Sequence, residues 1–390
     1  MSCDIKTQKG IYIHIPFCIS KCIYCDFCSA PADDDTKERY VNALCAEIAH
    51  AGKETVKNGD DRSISTVFFG GGTPSILPVQ LFVKIMGAVR GAFLVSEAAE
   101  ITVECNPGTL TAGKLRAYRS MGVNRLSIGL QSPDNRELRA LGRIHTYEQF
   151  EESYYAARDA GFDNINIDIM SAIPYQTVTG YQSNLEKIVK LNPEHISAYS
   201  LIVEEGTPVY EHPEKFLPLP SEDDEREMYY ETDRILKKAG FDRYEISNYS
   251  KKGFECRHNV GYWERKDYLG FGLGASSLFE NVRMKNISDM NKYIGNAGKS
   301  DLYEDTEILT VNDCMEEFMF LGLRMMKGVS SRRFLKLFNK NINDVYAEPL
   351  EENIKNNLLC KYRDDSGESW YCLTPHGIDI SNTVMADFML

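Results

Sequence analysis

The sequence predicts an α/β fold: a parallel sheet of repeated βα units, followed by a smaller unit of different make-up. Three observations carry that expectation. Short β-branched runs alternate with amphipathic helical stretches as far as Ser200, the pattern that lays parallel strands beneath crossover helices. Three cysteines, Cys18, Cys22 and Cys25, crowd the loop after the first run. Beyond Ser200 the alternation gives way to polar connections and acidic segments.

Taken in order, strands are expected at Ile11–Ile15, Thr66–Phe69, Ile101–Glu104, Arg125–Gly129, Ile165–Ile169 and His195–Ser200. Helical periodicity falls near Thr36–Glu54, Val79–Phe93, Ala112–Met121, Tyr147–Ala160 and Thr179–Lys190. Six such strands suit a partial barrel, whose chemistry gathers at the carboxyl ends of the strands. Periodicity alone leaves a doubly wound sheet open. A helix running to Lys238 and a strand over Tyr244–Tyr249 follow. After a boundary at Asn296–Asp305, rich in Gly, Ser, Lys and Asp, helices are expected over Asn312–Met326, Ser330–Phe338 and Asn343–Asn357. A hairpin of Leu358–Tyr362 and Trp370–Leu373 and a last helix, Gly377–Met389, complete a winged-helix-like domain. The expected division is 1–205, 206–300 and 301–390.

A chain of 390 residues has room for two or three domains and a sizeable core. It carries 57 acidic against 44 basic residues, a formal charge of −13, which argues against a nucleic-acid partner. The C-terminal unit shares the bias, with sixteen Asp/Glu against nine Lys/Arg from Asp301 onward, so its winged shape is read as a cover or a protein-docking surface. No apolar run reaches the length of a membrane span, and MSCDIKTQKG has no apolar signal region. A cytoplasmic protein is expected, whose eleven cysteines serve as reduced thiols and metal ligands. Oligomeric state and peripheral membrane association leave no mark in the sequence.

Cys18, Cys22 and Cys25 stand in the spacing C-x3-C-x2-C. Thiolate sulfur is the ligand iron–sulfur clusters prefer, and three ligands on a four-iron cluster leave one iron open to a substrate or cofactor. Structural zinc would want a second Cys or His knuckle, and buried, inert cysteine is the other alternative; Cys28 is read as a bystander. Further groups fall at the strand ends. Gly70-Gly71-Gly72-Thr73-Pro74 lets a backbone approach a ligand closely, or simply turns the chain. Glu104 is placed to hold an ammonium or ribose, or to cap the next helix. Gln131 offers an amide, and Arg143 a fork suited to a carboxylate. Asp168 is a charge inside an otherwise apolar strand and needs a partner.

The cysteine loop, with Tyr24 before its last cysteine, resembles the cluster loop of the radical S-adenosylmethionine (SAM) enzymes. The preceding Tyr12-Ile13-His14-Ile15-Pro16-Phe17 narrows the resemblance to the branch of oxygen-independent coproporphyrinogen III oxidase and its relatives. That resemblance, not the periodicity, implies an open (β/α)6 barrel. It implies a 4Fe–4S cluster on Cys18, Cys22 and Cys25, and SAM contacts from Tyr12, Gly71, Gly72, Thr73, Glu104, Gln131, Arg143 and Asp168. The family's chemistry is reductive cleavage of SAM to methionine and a 5′-deoxyadenosyl radical, which requires an electron donor.

A second motif, Cys256-Arg257-His258-Asn259-Val260-Gly261-Tyr262-Trp263, places a histidine beside two aromatics. Such a set can ligate haem iron and stack on a porphyrin, or it can be a packed loop in which His258 only hydrogen-bonds. H-N-x-x-Y-W is similar to the signature of the HemW-type haem chaperones, which implies His258, Tyr262 and Trp263 as candidate haem residues, with Cys256 a lesser one. Leu269–Ser277 departs from that branch's usual G-P-G-A-H-S: Leu273 stands for proline and Ser276 for histidine. Smaller departures are Tyr175 for glycine and Cys105 for alanine. Two functions compete: a chaperone that binds haem and delivers it to acceptor haemoproteins, and an oxidase that decarboxylates coproporphyrinogen III. The oxidase pattern has a cysteine two residues past the third ligand, where this chain has Phe27, and a long N-terminal arm, where ten residues precede the first expected strand. Both point to the chaperone.

Overall fold

The computed structural model describes residues 9–390; the reading of the N-terminal segment, and the start of the first expected unit, rest on residues 1–8 and lie outside the described residues. Six parallel strands form the centre: β1 (Lys9–Ile15), β2 (Ser63–Gly71), β3 (Leu94–Cys105), β4 (Arg125–Gln131), β5 (Ile165–Ser171) and β6 (His195–Ser200). They lie side by side in chain order, each pair parallel. The intervening helices, among them Asp34–Asn58, Val79–Ala92, Tyr147–Asp159 and Val178–Lys190, cover one face, as right-handed crossovers require.

The strands alternate sharply. Ile11, Ile13, Ile15, Val67, Phe69, Val103, Leu126, Ile128, Ile167 and Ile196 are buried under the helices in one large core. Their neighbours point to the other, inner face: Tyr12, His14, Thr66, Phe68, Thr102, Glu104, Arg125, Ser127, Asn166, Asp168, His195 and Ser197. A period of two in each strand thus separates an apolar outside from a polar lumen. The charge of Asp168 belongs to that lumen pattern.

The sheet continues at both edges. β7 (Asp242–Glu245) and β8 (Asn248–Ser250) form a hairpin beside β6, where a single strand over Tyr244–Tyr249 was expected. β9 (Tyr268–Phe271) joins the free edge of β1 in parallel. Antiparallel β10 (Ser276–Phe279), β11 (Val282–Asn286) and β12 (Tyr303–Ile308) extend it to twelve strands among the described residues. β12 falls on part of the expected linker: Tyr303–Ile308 is exposed along its whole length, so its composition reads as loop while its backbone pairs with β11.

The C-terminal residues have a core of their own, built of Met315, Phe318, Met319, Leu323, Phe334, Tyr346, Leu350, Tyr371 and Phe388 among others. Helices Val311–Leu323, Ser331–Phe338 and Ala347–Lys355 precede a hairpin of β14 (Leu359–Arg363) and β15 (Ser369–Leu373), and β13 (Val329–Ser330) adds a third strand. Two expected long helices are each broken, at Tyr346 and at Ile380, both of which leave helical φ/ψ.

Candidate functional site

The cysteine loop leaves β1 at the carboxyl end of the sheet and is tied down by its own backbone. Cys18 N bonds Ala30 O at 3.2 Å, Ile23 N bonds Leu141 O at 3.3 Å, and Thr73 N bonds Phe17 O at 2.8 Å. His14, on the inner face of β1, reaches up from below: its Nε2 donates to the Cys28 carbonyl at 2.9 Å, and its Nδ1 accepts from the Tyr12 hydroxyl at 3.1 Å. A carbonyl only accepts, so this pair of partners selects the Nε2–H tautomer. Gly71 and Gly72 are demanded by the same packing. Gly71 has φ +108°, and a Cβ there would sit 2.6 Å from the His14 ring; a Cβ on Gly72 would sit 2.7 Å from Phe17 O and 3.0 Å from Cys18 Sγ.

Cys18, Cys22 and Cys25 all line a cavity of about 400 Å³ at this end of the sheet, together with Gly71, Gly72, Thr73, Glu104, Gln131, Arg143 and Asp168. Tyr12 lies beneath it, stacked on Phe68 at 6.3 Å. Cys28 does not line the cavity, and Phe27 is an exposed rim residue, 60% accessible. Among the described residues no group of three or more His, Cys, Asp or Glu is arranged to hold a single metal ion. A four-iron cubane takes one thiolate per iron and needs sulfurs spread round a cavity, which is how the three thiols stand. Burial raises the Cys25 thiol, and its neighbours Cys22 and Cys18 add to the rise; iron would relieve that repulsion by taking the thiolates.

Two buried carboxylates face the same space. Glu104 accepts from Gly71 N at 3.2 Å, and burial, then the charge of Asp168, push its pKa up to about 8. Asp168 is also raised by burial, and is held by Asn166 Nδ2 at 2.7 Å and Ser127 Oγ at 3.2 Å. Among the described residues neither takes part in a direct ion pair, and the Arg125 guanidinium acts on both only at a distance, so burial favours their protonated forms and a cationic ligand would favour the charged ones. Opposite, Arg143 donates to Asn106 Oδ1 and Gly129 O, each at 2.8 Å, and to Cys22 Sγ at 3.5 Å. Gln131 is held at φ +72°, strain that a non-glycine residue tolerates mainly at working sites. Asn106 was missed in the sequence. It joins Thr73 to Arg143, its Nδ2 donating to Thr73 Oγ1 at 2.8 Å, and its position just after β3 was the available signal.

The second motif lies at the opposite, amino end of the strands. Arg257–Trp263 is a short helix, and Glu100, on β3, accepts from the backbone N–H groups of Arg257 and His258 at 3.0 and 3.1 Å. A cavity of about 560 Å³ adjoins it, reached by His258, Tyr262, Gly10, Thr66, Tyr244, Met325 and Met326. Of the three candidate haem residues, His258 and Tyr262 are brought together at this cavity and Trp263 is not. His258 is 3% accessible, with Nδ1 2.8 Å from Thr66 Oγ1 and Nε2 2.8 Å from the Tyr262 hydroxyl; its ring stacks on Phe68 at 5.1 Å. Burial, then the charge of Arg125, lower its pKa to about 3. As placed, it is the hydrogen-bonded, packed histidine. Trp263 faces a neighbouring cavity of about 400 Å³, with the Arg324 guanidinium 4.4 Å from its ring centre. Cys256 is fully buried against Glu100. Leu273 packs in the main core, and Ser276 begins β10.

A curved α/β sheet with a three-cysteine loop at its carboxyl mouth defines a radical SAM protein. Residues 12–188 match the radical SAM superfamily, and residues 309–380 match the HemN C-terminal domain; the superfamily's cofactors are SAM and a 4Fe–4S cluster. Within it the chain belongs to the heme chaperone HemW family. It is 34% identical to the heme chaperone HemW of Lactococcus lactis, covering 99% of this chain and 98% of that protein. It is 35% identical to that of Bacillus subtilis, over 98% and 99%, and 31% identical to that of Escherichia coli, over 97% and 98%. The fold also superposes on coproporphyrinogen III oxidase (HemN) from Escherichia coli, with a TM-score of 0.83 at 22% identity, over 98% of this chain and 90% of that one. No helix among the described residues is long and apolar enough to cross a membrane.

Proposed function

We propose that this protein carries haem and hands it to acceptor haemoproteins, on a framework that retains a radical SAM centre. The observation that carries the reading is the end-to-end similarity to proteins named heme chaperone HemW, at 34–35% identity over almost the whole of both chains. The amino-end cavity beside the H-N-x-x-Y-W helix is the place for the cargo. His258 and Tyr262 form its floor, and Trp263 stiffens the far side of the same helix.

At the other mouth, Cys18, Cys22 and Cys25 hold the cluster. Gly71, Gly72 and Thr73 take the backbone side of SAM, Glu104 and Asp168 its positive charges, and Arg143 its carboxylate, with Gln131 and Tyr12 shaping the pocket. The cluster, when bound, supplies the electron for SAM chemistry, and an external reductant must reload it. What the chain's own residues do is orient SAM and keep charge balanced in a partly dry site. Residues 309–390 act as a covering unit with a core of their own, since Tyr303–Ile308, in the unit expected from 301, pairs into the main sheet. A cytoplasmic setting suits a chain whose Cys18, Cys22 and Cys25 must stay reduced to take a cluster.

The oxidase reading has the fold but lacks the extra thiol: Phe27 occupies its place. Haem loaded on the anaerobic protein should be retained through gel filtration at one per chain, and should move to an added apo-haemoprotein faster than free haem does. A protein that holds no haem, or holds it without release, contradicts the proposal.

A further inference from the structure

The haem reading leaves the iron ligand open, and the amino-end cavity narrows it. The imidazole of His258 and the phenols of Tyr262 and Tyr244, which all face the cavity, are already engaged. Both ring nitrogens of His258 have partners at 2.8 Å. The Tyr244 hydroxyl is bonded to His195 Nε2 at 2.8 Å, and the Tyr262 hydroxyl to His258. Burial raises the phenols of Tyr244, Tyr262 and Tyr268 far from ionisation, so none is a ready phenolate.

The opposite wall is different. The chain leaving helix Val311–Leu323 crosses the cavity as a short strap that is pinned to the β7 hairpin. Met325 bridges Glu245, and Met326 N donates to Tyr244 O at 3.0 Å. Among the described residues their thioethers make no hydrogen bond, and they are soft donors of the kind that ligate haem iron. Met325 is shared with the neighbouring cavity, whereas Met326 lines this one alone. The rim carries Arg257, Lys266 and Lys327 alongside the carboxylates of Glu255 and Asp267. Glu264 pairs with both lysines, at 2.8 and 2.6 Å, and each ammonium has three N–H donors, so both keep donors to offer the propionates of a haem.

We propose that haem lies between the Arg257–Trp263 helix and the Met325–Lys327 strap, with the Met326 thioether as axial ligand and His258 as a positioning residue beneath the ring. This rests on the haem reading above. In this arrangement the C-terminal segment closes the cargo site, so movement of that segment would uncover the iron for transfer.

The test is haem titration of the full-length protein, read by the ferrous absorption spectrum, for the wild type and Met326→Leu, Met325→Leu and His258→Gln. Leucine matches methionine in size and apolarity, and so keeps the strap folded. The expected result is that Met326→Leu takes up haem but its ferrous spectrum shifts to that of haem without a protein ligand, while Met325→Leu and His258→Gln keep the wild-type spectrum, the latter with weaker uptake. An unchanged spectrum in Met326→Leu, or the same shift in His258→Gln or Met325→Leu alone, overturns the assignment. A wild type that takes up no haem overturns the haem reading itself, a result distinguishable from failure of the ligand assignment.

Discussion

Glu104 shows how a single residue ties the fold to ligand charge. Burial and the neighbouring Asp168 lift its pKa to about 8, above the ordinary carboxylate range of the unfolded chain. The folded state therefore binds its proton more tightly than the unfolded state. Its contribution to stability is whole at low pH and is lost as pH rises through about 8. Glu104→Gln cannot ionise, so the ligand-free variant should melt higher than the wild type at alkaline pH and show little gain near pH 5, where both side chains are neutral. The same change should abolish most of the thermal stabilisation that added SAM gives at alkaline pH. Scans with and without SAM at the two pH values check both; a gain confined to acid pH contradicts the charge argument.

Two further predictions belong to single residues. Changing Cys18, Cys22 and Cys25 together to Ala should remove the iron–sulfur absorption after reconstitution, and its persistence would overturn the ligand assignment. Gly72→Ala puts a methyl group 2.7 Å from Phe17 O and 3.0 Å from Cys18 Sγ. It should lower cluster content per chain, measured as iron and sulfide, while circular dichroism stays that of the folded protein.

At the scale of elements, the six central strands and the cysteine loop were legible because each strand concentrates β-branched residues and each strand end carries a distinctive residue. The polar lumen was not legible. In I-N-I-D-I or I-T-V-E-C the apolar half of the alternation dominates a hydropathy reading, and the polar half acquires meaning only when the sheet curves and those residues face one another. Exposed strands such as β12 were missed for the converse reason, since pairing at a sheet edge asks little of side chains. The histidine motif was read as a unit, yet the helix it forms sends His258 and Trp263 to different cavities; residues five apart on a helix do not share a face. That short helix is held by Glu100. Glu100→Gln should weaken the two backbone bonds at its start and destabilise the protein by about 1–3 kcal/mol, as seen in urea unfolding, with weaker haem uptake. A variant with unchanged stability would show that the helix is anchored elsewhere.

Across the whole molecule, the two candidate sites occupy opposite ends of one sheet. The cluster loop sits where β1 ends, and the proposed cargo cavity sits where β1 begins, at Gly10. The polar lumen between them is continuous: His258 stacks on Phe68, Phe68 on Tyr12, and Tyr12 bonds His14, which holds the cysteine loop. Separate ends allow a protein to keep the radical SAM centre and still carry a cargo that never enters it. A porphyrinogen to be decarboxylated would instead have to reach the carboxyl mouth, beside the cluster and SAM.

The measurement that tests this most directly is anaerobic. The reconstituted protein is offered haem in one arm and coproporphyrinogen III with SAM and reductant in the other, with haem absorption and porphyrin products followed in parallel. One haem retained per chain without any decarboxylated product is the outcome predicted here. Turnover of coproporphyrinogen III would mean that the carboxyl mouth is a working oxidase site despite Phe27, and that the chain is an enzyme and not a carrier.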